Sequence, residues 1–516
     1  MRRNIRKIVV VGGGTAGWLT AGLLASRFHQ AEDKVSVTLV ESPDVPIIGV
    51  GEGTWPSMRT TLKTIGVSES DFFNQCDASF KQGSKFVGWE KGGDDYYYHP
   101  FSLPEGYSEV NLADHWQMHK DKVSFANAVG VQSLMCEKGL APKQITTPEY
   151  AFNLNYGYHL DAGKFASFLS AHCVEKLGVD HVLANVGRVS NDEDGYITKL
   201  DCDTGEVISG DFFIDCTGFH AKLIEGHFGI EKLPLSDVLF NDSALAVQVP
   251  HAQESSEIES CTLGTAQSSG WVWDIALPTR RGIGYVHSSD FISEDAASEE
   301  LYQYLQKSGC AMPKHEFAPR KISFSPNKRK MFWVKNCVAI GLSAGFVEPL
   351  EASALVLVET AAKFVREHLP SNQGGLSPIA RRYNAMMNRH WLDIVDFLKL
   401  HYVLNQRDEE YWKAHLQPSG IPDSLRENLE LWEIATPWLL DTPHIDALFP
   451  AASYQYVLYG MNHDTRLEAD WLAPEQQKQA DILFQKNIEK ARGLSTALPT
   501  NRDLLQKVRQ YGFQSI

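Results

Sequence analysis

Residues 8–18 read Ile8-Val9-Val10-Val11-Gly12-Gly13-Gly14-Thr15-Ala16-Gly17-Trp18, and their order decides the fold. The short β-branched run suits a strand buried on both faces. The glycines suit a tight turn into a helix, expected over about Ala16 to Phe28. Val35 to Val40 is the next strand and ends at Glu41. Strand, helix and strand make a βαβ unit, the entry to a Rossmann-like sheet. Gly12-x-Gly14-x-x-Gly17 is the spacing of a dinucleotide cradle. Gly12 permits the turn, Gly14 lets a pyrophosphate approach the backbone, and Gly17 allows close helix–sheet contact. Glu41 is placed to accept hydrogen bonds from ribose hydroxyls. A purely structural glycine turn is the bland reading, but strand, helix and acid together favour a nucleotide. FAD and NAD are not separated by this motif alone.

Two later segments favour FAD. Asp211-Phe212-Phe213-Ile214-Asp215-Cys216-Thr217-Gly218-Phe219 reads as a strand ending in a small-residue turn. Gly341-Leu342-Ser343-Ala344-Gly345-Phe346-Val347-Glu348-Pro349-Leu350-Glu351-Ala352-Ser353-Ala354 joins a predicted strand, Cys337 to Ile340, to a helix expected from about Glu351 to Val365. A loop feeding a helix start presents unpaired N–H groups, and the helix dipole adds to their pull on an anion. Glu351 puts a carboxylate beside that anion cradle. Two-domain flavin hydroxylases set a similar strand–turn and late loop against FAD, but with an Asp where this chain has Leu342.

The bulk numbers narrow the class. With 516 residues, 43% hydrophobic and 22% charged, the chain has material for a large packed core. A net charge of -16, spread evenly, argues against a nucleic-acid surface and gives no reason to expect anionic lipid. Eight cysteines show no metal-binding spacing, so no metal site is expected and a reduced, cytoplasmic setting fits. Met1-Arg2-Arg3-Asn4 has a basic start, but the apolar run after it is too short for a signal peptide. No run is long enough for a membrane span. Trp271-Val272-Trp273-Asp274-Ile275 alternates as a half-buried strand should. Beyond about Ser377 the pattern turns helical and aromatic. The break at Leu369 to Gly375 sets the expected division: 1–370 as an FAD-binding module with an inserted substrate-side sheet, 371–516 as a mainly helical region completing the substrate site.

Several long segments resemble, in order, those of the flavin-dependent tryptophan halogenases. They are Gly12 to Trp18, Gly49-Val50-Gly51-Glu52-Gly53-Thr54, Ser79-Phe80-Lys81 with Lys85-Phe86-Val87, Tyr158-His159-Leu160-Asp161, Ile214 to Phe219, Trp271-x-Trp273-x-Ile275 and Phe346 to Glu351. The resemblance implies a hydroxylase-type FAD module of α/β class with an added sheet. It also implies a reaction in which FADH2, oxygen and chloride or bromide yield hypohalous acid, and a lysine near the aromatic substrate intercepts that acid. By motif position the lysine is Lys81, with Lys85 the rival. Otherwise Lys81 is a solvated surface lysine. The assisting carboxylate is Glu351, with Glu348 the alternative; its bland role is to complement a helix dipole. The resemblance places halide on the N–H groups of Ser353 and Ala354. It assigns cofactor contacts to Gly12, Gly14, Thr15, Ala16, Gly17, Glu41, Gly49, Val50, Gly51, Gly218, Gly341 and Leu350. The tryptophan-rich strand would keep substrate from the flavin, although the family's proline after it is Ala276 here.

Tyr98-His99-Pro100-Phe101 matches a family segment whose histidine and phenylalanine line the aromatic pocket. Phe449 stands where relatives that take free tryptophan carry an aromatic sandwich. The tyrosine pair that binds the amino-acid backbone has no counterpart before it. A zwitterion without polar partners would leave buried charges unpaired, so an indole-like or other electron-rich aromatic is expected. No second nucleotide motif is visible, so a separate flavin reductase is expected to supply FADH2 by diffusion. A homodimer stays open. An aromatic monooxygenase is the alternative enzyme, and a flavin-bound protein that binds a partner through its aromatic half is the alternative without catalysis.

Overall fold

The computed structural model describes residues 4–28, 35–45, 51–310, 312–467 and 473–515. The chain forms two compact units, each gathered from three stretches: Met1–Asp77, Leu160–Leu235 and Ser325–Trp391 in one, Ala78–His159, Ser236–Phe324 and Leu392–Ile516 in the other. The break near residue 370 lies in the connection between helices Ser353–His368 and Leu376–Val403.

In the first unit, β1 (Lys7–Val11), α1 (Thr15–Phe28) and β2 (Ser36–Glu41) form the expected βαβ start. β1 pairs in parallel with β2 and with Phe212–Asp215, which pairs in parallel with Cys337–Ala339. Asp180–Leu183 and Trp333–Val334 complete six strands. Ile8 to Val11 are all buried, as a sheet covered on both faces requires. Val9, Val11, Phe213 and Cys337 share a core with Ile197 and Leu200. Parallel pairing gathers the carboxyl ends of five strands at one edge, the place where ligands bind in open α/β sheets.

The second unit holds a seven-stranded mixed sheet. Its order is Arg320–Ser323, Ser243–Pro250, Arg280–His287, Gly270–Ala276, Thr262–Gln267, Gly83–Val87, Tyr96–Pro100. Helix Glu294–Lys307 packs Ala297, Leu301 and Leu305 against Val272 and Ile283. The tryptophan-rich strand departs from its half-buried expectation, because every residue of Gly270–Ala276 is buried. It lies inside the sheet, and its one charged side chain is satisfied there. Asp274 pairs with Arg281, whose Nε lies 3.0 Å from Oδ1, and accepts a hydrogen bond from the Tyr304 hydroxyl at 2.9 Å.

Candidate active site

The nucleotide cradle takes shape from steric exclusion. A Cβ at Gly12 would strike the Cys216 carbonyl, one at Gly13 the Glu41 carboxylate, and one at Gly17 the Gly12 carbonyl. At Gly14 a Cβ would meet nothing within 4 Å, which is the open approach a pyrophosphate needs. Thr15 and Ala16 begin α1 on that approach, and the Trp18 N–H donates to Gly14 O at 3.1 Å. Glu41 ends β2 with His181 Nε2 at 2.9 Å from its Oε2, a neighbour not foreseen from sequence. The chain at Gly218 has φ +64 and open space around it. It is held by the buried Asp215 carboxylate, which accepts from Thr217 N, Leu223 N and Ile224 N at 2.8–3.0 Å. Gly341, with φ +78, brings the late loop against α1, where an added Cβ would lie 2.8 Å from that of Ala16. These residues fit a dinucleotide. Gly49 and Val50 lie outside the described residues; Gly51 opens the short strand Gly51–Gly53. Burial, then the charge of Asp161, pushes the Glu52 carboxyl up to about 7.

The late loop is more contorted than expected. The helix begins at Ser353, not Glu351. Glu351 and Ala352 have φ +64 and +54, a left-handed pair of non-glycine residues. Such backbone costs about 1–2 kcal/mol per residue and is retained where function needs it. Trp55 Nε1 donates to the Glu351 carbonyl at 2.7 Å and braces the turn. Glu351 is 6% exposed, and Glu348 and Leu350 are buried beside it in sequence. Among the described residues no side chain caps the helix start at Ala352, and the first N–H groups, those of buried Ser353 and exposed Ala354, carry the positive end of the helix dipole.

Lys81 belongs to the second unit. It ends the short strand Ser79–Lys81 and is 1% exposed, so it is not a surface lysine. Its Nζ lies 5.4 Å from the Phe101 ring centroid. Lys85 is partly exposed, with Nζ over the rings of Tyr96 and Tyr98. Ser79 Oγ donates to the Ala276 carbonyl at 2.6 Å, tying the Lys81 strand to the end of the tryptophan-rich strand.

In this unit Phe101 lies against Lys81, and His99 lies near Phe449. His99 Nε2 is 2.9 Å from Ser453 Oγ, and its ring centroid lies 6.4 Å from that of Phe449. Phe449 stacks on Phe397 at 3.7 Å, with Tyr454 edge-on to Phe397. Sequence reading missed Phe397, Ser453 and Tyr454. The aromatic content of the C-terminal stretch was the only signal for them.

The family model for tryptophan halogenase matches residues 7–473. The crystal structure of a tryptophan halogenase from Shewanella frigidimarina superposes with a TM-score of 0.97 at 48% identity, covering 100% of both chains. Tryptophan 7-halogenase RebH from Lentzea aerocolonigenes is 30% identical, over 98% of this chain and 99% of its own. BrvH, a flavin-dependent halogenase from Brevundimonas sp., is 30% identical with a TM-score of 0.85, over 98% of this chain and 99% of its own.

Proposed function

This chain belongs to the tryptophan halogenase family and is a flavin-dependent halogenase of aromatic substrates. From that premise we propose that it oxidises chloride or bromide to hypohalous acid and halogenates an electron-rich, indole-like ring through Lys81 and Glu351. Bound reduced FAD, with oxygen, supplies the oxidising equivalent. A separate reductase delivers the FADH2 by diffusion. The glycines at 12, 14 and 17, with Thr15 and Ala16, hold the pyrophosphate. Glu41 takes the ribose, and Gly51, Gly218, Gly341 and Leu350 line the remainder. The N–H groups of Ser353 and Ala354 hold the halide at the helix start.

Lys81 intercepts the acid and keeps it from bulk water, where it would react indiscriminately. Glu351 takes up the ring proton as halogen replaces it. His99, Phe101 and Phe449, the last supplied by residues 371–516, sandwich the ring.

The observation that carries this reading is the burial of the Lys81 ammonium next to Phe101, since an exposed lysine would lose its oxidant to solvent. The test is incubation with FAD, a flavin reductase, NADH, oxygen and chloride or bromide against an aromatic panel, with halogen isotope patterns read by mass spectrometry. Bare indole and free tryptophan are offered in parallel. Indole is expected to be preferred, and a clear preference for tryptophan would defeat the substrate assignment. Hydroxylated product without halogen would favour the monooxygenase.

A further inference from the structure

Beside Lys81 stands a second polar group that the reaction above does not use. The strand Ser79–Lys81 pairs antiparallel with Gly157–Asp161, with Ser79 opposite His159 and Lys81 opposite Gly157. Residues two apart on a strand share a face, and so do directly opposed residues. His159 and Lys81 are therefore diagonal neighbours on one face, about 7–8 Å apart at the backbone. Gly157 contributes no side chain between them. His159 is 0% exposed. Its Nε2 lies 2.8 Å from Thr262 Oγ1, while Nδ1 is buried with no hydrogen-bond partner among the described residues. Burial, and after it the charge of Lys81, holds the imidazole well below its ordinary pKa and keeps it neutral. Buried polar atoms in native proteins are nearly always paired with protein, water or a ligand, so Nδ1 is an acceptor open to a small donor beside Lys81.

We propose that His159 is a positioning residue of the Lys81 compartment, its Nδ1 accepting a hydrogen bond from the hypohalous acid held at Lys81. The proposal rests on the Lys81 reading above. Hypohalous acid has one O–H donor and one acceptor oxygen. The Lys81 ammonium donates to the oxygen, and Nδ1 receives the O–H when Nε2–H donates to Thr262. Two contacts fix the direction in which the halogen points, where one contact leaves the molecule free to turn and escape. No bond is made or broken by His159.

Asparagine and glutamine separate this role from a merely structural one. Asn places its amide at the Nδ1 position, and Gln reaches the Nε2 position that bonds Thr262. The measurement is halogenated product per FADH2 oxidised, with a β-diketone in solution to trap escaped oxidant. In His159→Phe and His159→Gln, product per FADH2 is expected to fall about tenfold, the worth of one hydrogen bond. Trapped oxidant should rise to match while flavin reoxidation stays unchanged. His159→Asn should recover most of the yield. Recovery by Gln rather than Asn, or loss of product with no rise in trapped oxidant, overturns the proposal. Lys81→Ala runs alongside: if it still forms product, the underlying Lys81 reading has failed whatever His159 does.

Discussion

Most lysines keep their ammonium in water, yet Lys81 has almost no contact with solvent. Its expected role makes a sharp outcome. Lys81→Ala should lower halogenated product at least about 100-fold, while reduced flavin is still consumed and hydrogen peroxide accumulates. Retained product in the mass spectrum would remove Lys81 from the mechanism. Glu351→Gln keeps the shape of the side chain but cannot take up a proton. It should slow substitution by about 10²–10⁴-fold, and an ordinary rate would hand the role to Glu348. As candidates, both residues were legible through the motifs around them. Their burial was not, because nothing within Ser79-Phe80-Lys81 reports what packs over it. His99 found Ser453, and Phe449 found Phe397, across separations that local pattern does not reach.

Elements were read well where one local rule governed them. The β1–α1–β2 start follows from a β-branched run and the glycine turn into a helical stretch, and its boundaries shift by only a residue. The late helix starts two residues beyond its expected position because Glu351 and Ala352 take left-handed backbone, which their residue types do not announce. The tryptophan-rich strand misled through its alternation. Asp274 is buried with the rest of the strand, where Arg281 pairs with its carboxylate and the Tyr304 hydroxyl donates to it. At Gly341, φ +78 and the nearby Ala16 methyl make a further prediction. Gly341→Ala should cost about 1–2 kcal/mol for the backbone alone and weaken FAD binding as the late loop moves off α1. Calorimetric melting and FAD titration check this; unchanged FAD affinity would show that the contact does not shape the cradle.

For the molecule as a whole, stability carries a pH dependence traceable to Glu52. Its carboxyl, near 4.5 in the unfolded chain, titrates at about 7 when folded because burial, then Asp161, opposes its charge. Between those values the folded state holds a proton that the unfolded state has released. The resulting cost is absent below about pH 4.5, builds as pH rises and is complete above about pH 7, at roughly 3 kcal/mol. Glu52→Gln apoprotein should therefore melt higher than wild type at pH 8, with the gap closing toward pH 5. An equal gap at both pH values would reject this account. No helix among the described residues is long and apolar enough to cross a membrane. By itself the sequence determined the βαβ entry, the nucleotide cradle and the family motifs, since each depends on residues within a few positions of one another. Tertiary structure alone decided how six stretches of chain sort into two units. It also decided which polar groups lose their water, and which aromatic rings meet Phe449. Those outcomes depend on packing between strands and helices tens to hundreds of residues apart, and burial is a property of what covers a residue rather than of the residue itself.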